Sequence, residues 1–176
     1  MKKIAYLGID DAPTDDFRKK INYLSKKKIP AIFFCIGKCI PKREKDVIYA
    51  IKKGFTIGNH SWNHVNFNEL NKKEITEELT KMDNYLEELY KKAGIKRKLK
   101  IFRFPFLQKG GKNRKVIQTI LKELGYTQPN FQNINYKGYK KQGHDKNIDV
   151  YCTYDTCDWV IFANQDYEGL KTLEDL

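Results

Sequence analysis

His60 and His64, in the run His60-Ser61-Trp62-Asn63-His64, are two of only three histidines in the 176-residue chain. On one face of a helical turn, imidazoles at this spacing each bring a nitrogen to a single ion. The spacing alone is a weak signal, and a third, acidic ligand at another strand end would strengthen it. Asp10-Asp11 supplies adjacent carboxylates, and adjacent residues of an extended chain point in different directions. One aspartate can therefore bind the ion while the other faces a water as general base. Two neutral imidazoles and one carboxylate leave coordination positions open, as a hydrolytic metal requires. Such an ion lowers the pKa of its bound water and polarises a carbonyl. Arg103, in Arg103-Phe104-Pro105-Phe106, would pair with the second carboxylate and orient it. Asp155-Thr156-Cys157-Asp158-Trp159 adds a further acidic segment. The chemistry these residues share is metal-assisted hydrolysis of an amide or ester.

Each feature also has a plainer reading. Paired aspartates cap helices, an arginine before an aromatic-proline run ends many surface strands, and Asp-x-x-Asp-Trp fits a turn over a packed indole. The discriminating question is where the secondary structure puts them. Residues 3–9 form a nearly continuous apolar run stopped by Asp10-Asp11, which reads as a buried strand. Thr14-Asp15-Asp16 then offers an N-cap and an acidic first turn, with Phe17, Ile21 and Leu24 at helical spacing. Strands follow at 29–36, 54–58, 99–104 and 148–154, with helices at 43–53, 71–92 and 112–124. Gly94 and Gly125 stop the last two helices. Residues 131–147 are polar with no period and read as a long loop. After Trp159 come a short apolar piece and a polar tail.

Alternation of strand and helix specifies an α/β fold of parallel strands, here one domain over 1–176 with no repeat or linker. In such folds the C-terminal strand ends gather on one face. That face would collect Asp10, Asp11, His60, His64, Arg103 and Asp155.

Composition excludes several alternatives. Hydrophobic residues make up 40% and aromatics 13%, a globular balance. No run approaches the roughly 20 apolar residues of a membrane span, and the N-terminus lacks a signal-peptide cleavage pattern. Cytoplasmic placement is the expectation, or export if a leader has been removed. The net charge of +12 comes from scattered lysine runs that read as solvated helix faces. No nucleic-acid-binding motif accompanies them, so nucleic acid is not the expected partner. Cys35, Cys39, Cys152 and Cys157 fit no familiar zinc spacing and read as reduced, partly buried thiols. The sequence is silent on oligomeric state.

The constellation resembles the polysaccharide deacetylases, carbohydrate esterase family four, from the first strand to Trp159. Gly8-Ile9-Asp10-Asp11-Ala12-Pro13 is similar to the family's Thr-Phe-Asp-Asp-Gly-Pro motif, with Ala12 in place of glycine. His60-Ser61-Trp62-Asn63-His64 resembles His-Ser/Thr-x-x-His, and Arg103-Phe104-Pro105-Phe106 resembles Arg-x-Pro-Tyr/Phe. Asp155 to Trp159 resembles Asp-x-x-Asp-Trp. The resemblance implies a deformed (β/α) barrel, here lacking its last strand, and a divalent metal, Zn2+ or alternatively Co2+, on Asp11, His60 and His64. It further implies Asp10 as base, Arg103 as its orienting partner, and the Phe106 N–H as oxyanion donor. Pro105, Phe106 and Trp159 would contact substrate. The implied reaction is removal of N-acetyl groups from N-acetylated sugars or glycans of the chitooligosaccharide or peptidoglycan type.

The family's Leu-x-His motif, whose histidine protonates the leaving amine with support from the residue at Asp155, has no counterpart in 1–176. His144 precedes the fourth motif and does not match it. The alternatives are therefore hydrolysis of another small amide or acetyl ester, or a non-catalytic glycan- or metal-binding relative.

Overall fold

A computed structural model describes residues 5–129, 131 and 137–156. Strands β1 (Leu7–Ala12), β2 (Ala31–Cys35) and β3 (Thr56–Asn59) form a parallel sheet in that order. Parallel neighbours need a crossover, supplied by helices α1 (Phe17–Lys27) and α2 (Glu44–Lys52). Phe17, Ile21 and Leu24 of α1, and Val47, Ala50 and Ile51 of α2, form the buried stripe of each. Helix α3 (Lys72–Ala93) opens with a capping box: Asn71 Oδ1 accepts the Glu74 N–H (3.0 Å) and Glu74 Oε2 accepts the Asn71 N–H (2.7 Å). It closes at Gly94, whose φ of 71° suits glycine. Helix α4 (Arg114–Glu123) follows a short turn at Gly111–Asn113.

Successive strand residues face opposite sides of the sheet. Phe33, Cys35 and Ile57 join α1, α2 and the Met82, Leu86 and Leu89 face of α3 in the main core. On the other face Phe34 meets Ile101 and Val150. A third cluster stacks Phe67, Phe102 and Phe104 edge to face beneath Ile75 and Leu79 of α3 and Ile117 and Leu121 of α4.

The α/β class and the helical crossovers match the sequence reading, with four differences. β1 runs through Asp10 and Asp11 to Ala12, so the aspartates lie within the strand; residue 3, its expected start, lies outside the described residues. The expected strands at 99–104 and 148–154 form no ladder. Asn59 bridges Phe102, and the Val150 N–H donates to Phe102 O (2.8 Å). Pairing is cut short because the Lys100 carbonyl is taken by the Thr127 N–H (3.0 Å) and Pro105 turns the chain away. Within the expected loop at 131–147, α5 (Lys137–Lys141) and a turn at His144–Lys146 form. Finally, Thr14 does not cap α1; its hydroxyl donates to Asp16, the residue at the N-cap, and its carbonyl accepts the Phe17 N–H (3.0 Å). No described helix is long and apolar enough to cross a membrane.

Candidate metal centre and catalytic site

The two aspartates reach one site because β1 carries a bulge. Ile9 pairs with Phe33 and Ala12 with Cys35, so β1 takes three steps where β2 takes two. The extra residue is absorbed at Asp10-Asp11, with Asp11 at a left-handed φ of 58°. Bulges re-aim side chains in this way. Ala12 is buried, has no left-handed φ, and its carbonyl accepts the Ile36 N–H (2.8 Å). The backbone here accommodates alanine where the resembled motif has glycine.

His60 to His64 is a loop, not the helical turn expected from the spacing. Ser61 and His64 take left-handed φ values of 66° and 56°. The loop's N–H groups bond to side chains instead of to a preceding helical turn. Asn59 Oδ1 accepts the Ser61 N–H (2.8 Å), Ser61 Oγ accepts the His64 N–H (2.9 Å), and Glu78 of α3 accepts those of Trp62 (3.0 Å) and Asn63 (2.8 Å). From the other side the N–H groups of Gly37 and Lys38 donate to the Ser61 and Trp62 carbonyls (3.0 and 2.9 Å). Gly37 is required by the Trp62 ring, which would stand 2.4 Å from a Cβ there.

This loop and the bulge bring three ligand atoms within 4.8 Å of one another, one each from Asp11, His60 and His64. Asp11 Oδ1 lies 3.4 Å from His60 Nε2 and 3.1 Å from His64 Nε2. His60 Nδ1 lies 2.8 Å from the Arg103 carbonyl. A carbonyl only accepts, so Nδ1 carries the proton and Nε2 is the nitrogen turned to Asp11. Two acceptors facing each other require something positive between them, either a proton or a cation. The donor set thus fits a divalent metal, with the Arg103 carbonyl fixing one ligand's tautomer in the way typical of metal-bound histidines. With a proton in that position, hydrogen bonding to His60 and His64 holds the Asp11 carboxyl well below the usual carboxylate range. Asp11 is thereby kept in its ligating form.

Asp10 points to Arg103, whose Nη1 donates to Asp10 Oδ1 at 2.8 Å. The arginine is buried, its N–H donating to Asn59 O (3.1 Å), its Nε to Val150 O (3.3 Å), and its Cζ lying 4.2 Å above the Phe34 ring centroid. Main chain, side chain and ring contacts therefore fix this guanidinium before any substrate arrives. Beyond it Pro105 is buried, Phe106 takes a left-handed φ of 57°, and the Phe106 ring sits 4.5 Å from that of His64 while remaining 65% exposed.

Asp10, Asp11, His60, His64, Arg103, Pro105 and Phe106 thus assemble around one site. Asp155 is exposed and borders a cleft with Tyr151, Cys152 and Tyr154. Val150, next in sequence to the cleft residues Tyr151 and Cys152, accepts from Arg103 Nε (3.3 Å), which puts this cleft beside the arginine-aspartate pair. Trp159 and Cys157 lie outside the described residues. Cys35, Cys39 and Cys152 are free thiols, as expected.

Sequence reasoning missed the residues behind the loop. Asn59 is fully buried; its Nδ2 donates to the Tyr126 hydroxyl (2.8 Å), which donates to Asp83 of α3 (2.8 Å). Asp83 is held by Arg97 (2.7 Å) and Lys100 (2.9 Å). Glu78 and Asp83 neighbour the apolar stripe Ile75, Leu79, Met82 and Leu86, and a charged residue beside a buried stripe was the available signal.

The family model described as polysaccharide deacetylase matches residues 1–129. The peptidoglycan-N-acetylmuramic acid deacetylase of Bacillus subtilis is 29% identical over 89 residues, covering 50% of this chain and 19% of that protein. A family 4 carbohydrate esterase from Bacillus anthracis superposes with a TM-score of 0.53 at 35% identity, covering 69% of this chain and 55% of that one. A mutant of a family 4 pseudoenzyme with restored enzymatic activity superposes with a TM-score of 0.58 at 26% identity, covering 70% and 42% respectively. The chain therefore spans only part of the length of each of these relatives. Since the matched region contains the bulged aspartates, the histidine loop and the arginine that joins them, the chain belongs to the polysaccharide deacetylase family.

Proposed function

We infer that this protein is a metal-dependent hydrolase that removes N-acetyl groups from N-acetylated sugars or glycans of the peptidoglycan or chitooligosaccharide type. The observation that carries this reading is the convergence of Asp11, His60 and His64 next to a second carboxylate, Asp10, that is clamped by Arg103. Asp11, His60 and His64 would hold the ion, Zn2+ or Co2+, which when bound polarises the acetyl carbonyl and acidifies a water. Asp10 takes the proton of the attacking water. Arg103 keeps the Asp10 carboxylate aimed at that water, its guanidinium held by the Val150 carbonyl and the Phe34 ring. The Phe106 N–H serves the oxyanion as the amide carbonyl becomes tetrahedral. Pro105 shapes the same wall, and Asp155 and Trp159 act from the fourth motif. The exposed Phe106 ring offers an apolar face to a sugar ring.

The parallel strands, with Phe34 and Arg103 on the face opposite the helices, are read as one side of a deformed barrel. The substrate class is supported by the curated relative, which is a peptidoglycan deacetylase. The deciding experiment is an acetate-release screen over N-acetylated sugars, peptidoglycan fragments and simple acetyl esters, with Zn2+ or Co2+ added. Acetate from N-acetylated sugars supports the assignment, and release only from esters shifts it to an esterase. Bound metal without any release makes the chain a non-catalytic relative.

A further inference from the structure

We propose that Glu78 is a positioning residue that sets the metal affinity of the site through the loop between its two histidine ligands; this rests on the metal-centre reading above. Glu78 lies on α3, is 8% exposed, and among the described residues forms no ion pair. A buried carboxylate without a cation is costly unless N–H groups surround it. Here every donor comes from the histidine loop. Glu78 Oε2 accepts the successive N–H groups of Trp62 (3.0 Å) and Asn63 (2.8 Å), and Oε1 accepts from the Asn63 side-chain amide. Successive N–H groups aimed at one anion form a nest, and the anion filling this one is part of the protein.

The nest matters because of the backbone that makes it. Ser61 and His64, on either side of Trp62 and Asn63, both hold left-handed φ values that residues with a Cβ adopt at a cost. That conformation turns His64 Nε2 to within 3.1 Å of Asp11. Without the carboxylate, the Trp62 and Asn63 N–H groups lose their buried acceptor and the loop relaxes towards ordinary φ values. His64 then moves relative to His60, whose own nitrogen stays fixed by the Arg103 carbonyl. Glu78 touches no ligand atom, so its effect is transmitted wholly through the loop.

The test is a titration of the 176-residue chain with Co2+, read from the visible absorption of the bound ion. The unaltered chain is expected to bind one Co2+, and His64→Ala to abolish that binding. Glu78→Ala is expected to raise the Co2+ Kd by about 10–100-fold and to change the absorption band, while Glu78→Gln, which keeps one oxygen for both backbone N–H groups, stays within roughly threefold. Far-UV circular dichroism at the same temperature reports folding. An unchanged Kd and band in folded Glu78→Ala overturns the positioning role while leaving the metal centre standing. No Co2+ binding by the unaltered chain overturns both. Should Glu78→Ala not fold, Glu78→Asp decides, since it keeps the buried charge but withdraws the acceptors by one methylene. A Kd raised about fivefold or more supports the role, and a wild-type Kd overturns it.

Discussion

Gly8 of β1 leaves open the space that the Arg103 guanidinium occupies: a Cβ at Gly8 would lie 2.9 Å from Nη1 and 3.0 Å from Nη2. The guanidinium sits between this gap and the Phe34 ring while it holds Asp10. A residue with no side chain therefore determines where the putting of charge next to Asp10 can happen, ninety-five positions earlier in the chain.

Gly8→Ala is expected to displace Arg103 from Asp10 without emptying the metal site. A misplacement on the order of 1 Å in a catalytic group can cost about 100-fold in rate. Acetate release should fall by roughly that factor while Co2+ affinity stays near wild type. Equal loss of both would show that the glycine serves the fold rather than the arginine.

The ligand assignment predicts that Asp11→Ala and His64→Ala each remove about nine-tenths or more of bound metal at micromolar ion. Metal analysis of the purified, dialysed variants checks this. Metal retained at wild-type level in either would remove that residue from the ligand set.

Asp10→Asn keeps the shape of the side chain and a hydrogen-bond acceptor for Arg103, but gives up the general base. Bound metal should be unchanged, and turnover should drop by about 10²–10⁴-fold, the usual worth of such a base. Residual acetate release above that range would send the search for the base elsewhere.

The Asp83 network makes a prediction about pH. Burial works to raise the Asp83 carboxyl, but the Lys100 hydrogen bond and the Arg97 charge outweigh it and leave the pKa below the ordinary value. A group depressed in the folded state contributes stability above its unfolded pKa and loses it as pH falls through the folded value. Near neutrality Asp83→Asn should cost less than the about 3–5 kcal/mol of a wholly unpaired buried charge, because Arg97 keeps the half-exposed Glu87 (3.1 Å) as its remaining counter-charge. Its thermal midpoint should also vary less between pH 5 and pH 2 than that of the unaltered chain, on the order of the range over which a carboxylate of this kind titrates. Parallel slopes in a pH series of melting curves would remove Asp83 from the acid response.

Much of this architecture was legible from pattern. Period and punctuation placed α3 within a residue at either end, because a capping box and a terminal glycine act locally. The apolar runs of β2 and β3 were equally plain. The site residues were legible by type, since few other combinations of His, Asp and Arg meet at strand ends. Their geometry was not. The bulge at Asp10-Asp11 depends on register with β2, which local sequence does not encode. The histidine loop depends on Glu78 and Asn59, which meet Ser61, Trp62 and Asn63 only once α3 is folded back. The strand expected at 99–104 fails because its Lys100 carbonyl goes to Thr127 and Pro105 turns the chain away, a competition with a partner distant in sequence.

The irregularity in β1 gives the site a dependence on chain length that side-chain identity does not capture. Three steps from Ile9 to Ala12 oppose two from Phe33 to Cys35. Removing either aspartate by deletion would let the ladder close in regular register, and the survivor would swing to whichever side alternation dictates. Substitution alters one functional group at a time; a single-codon deletion at this spot would undo the divergence of the two carboxylates altogether. Within these six residues, spacing constrains the site as tightly as chemistry does.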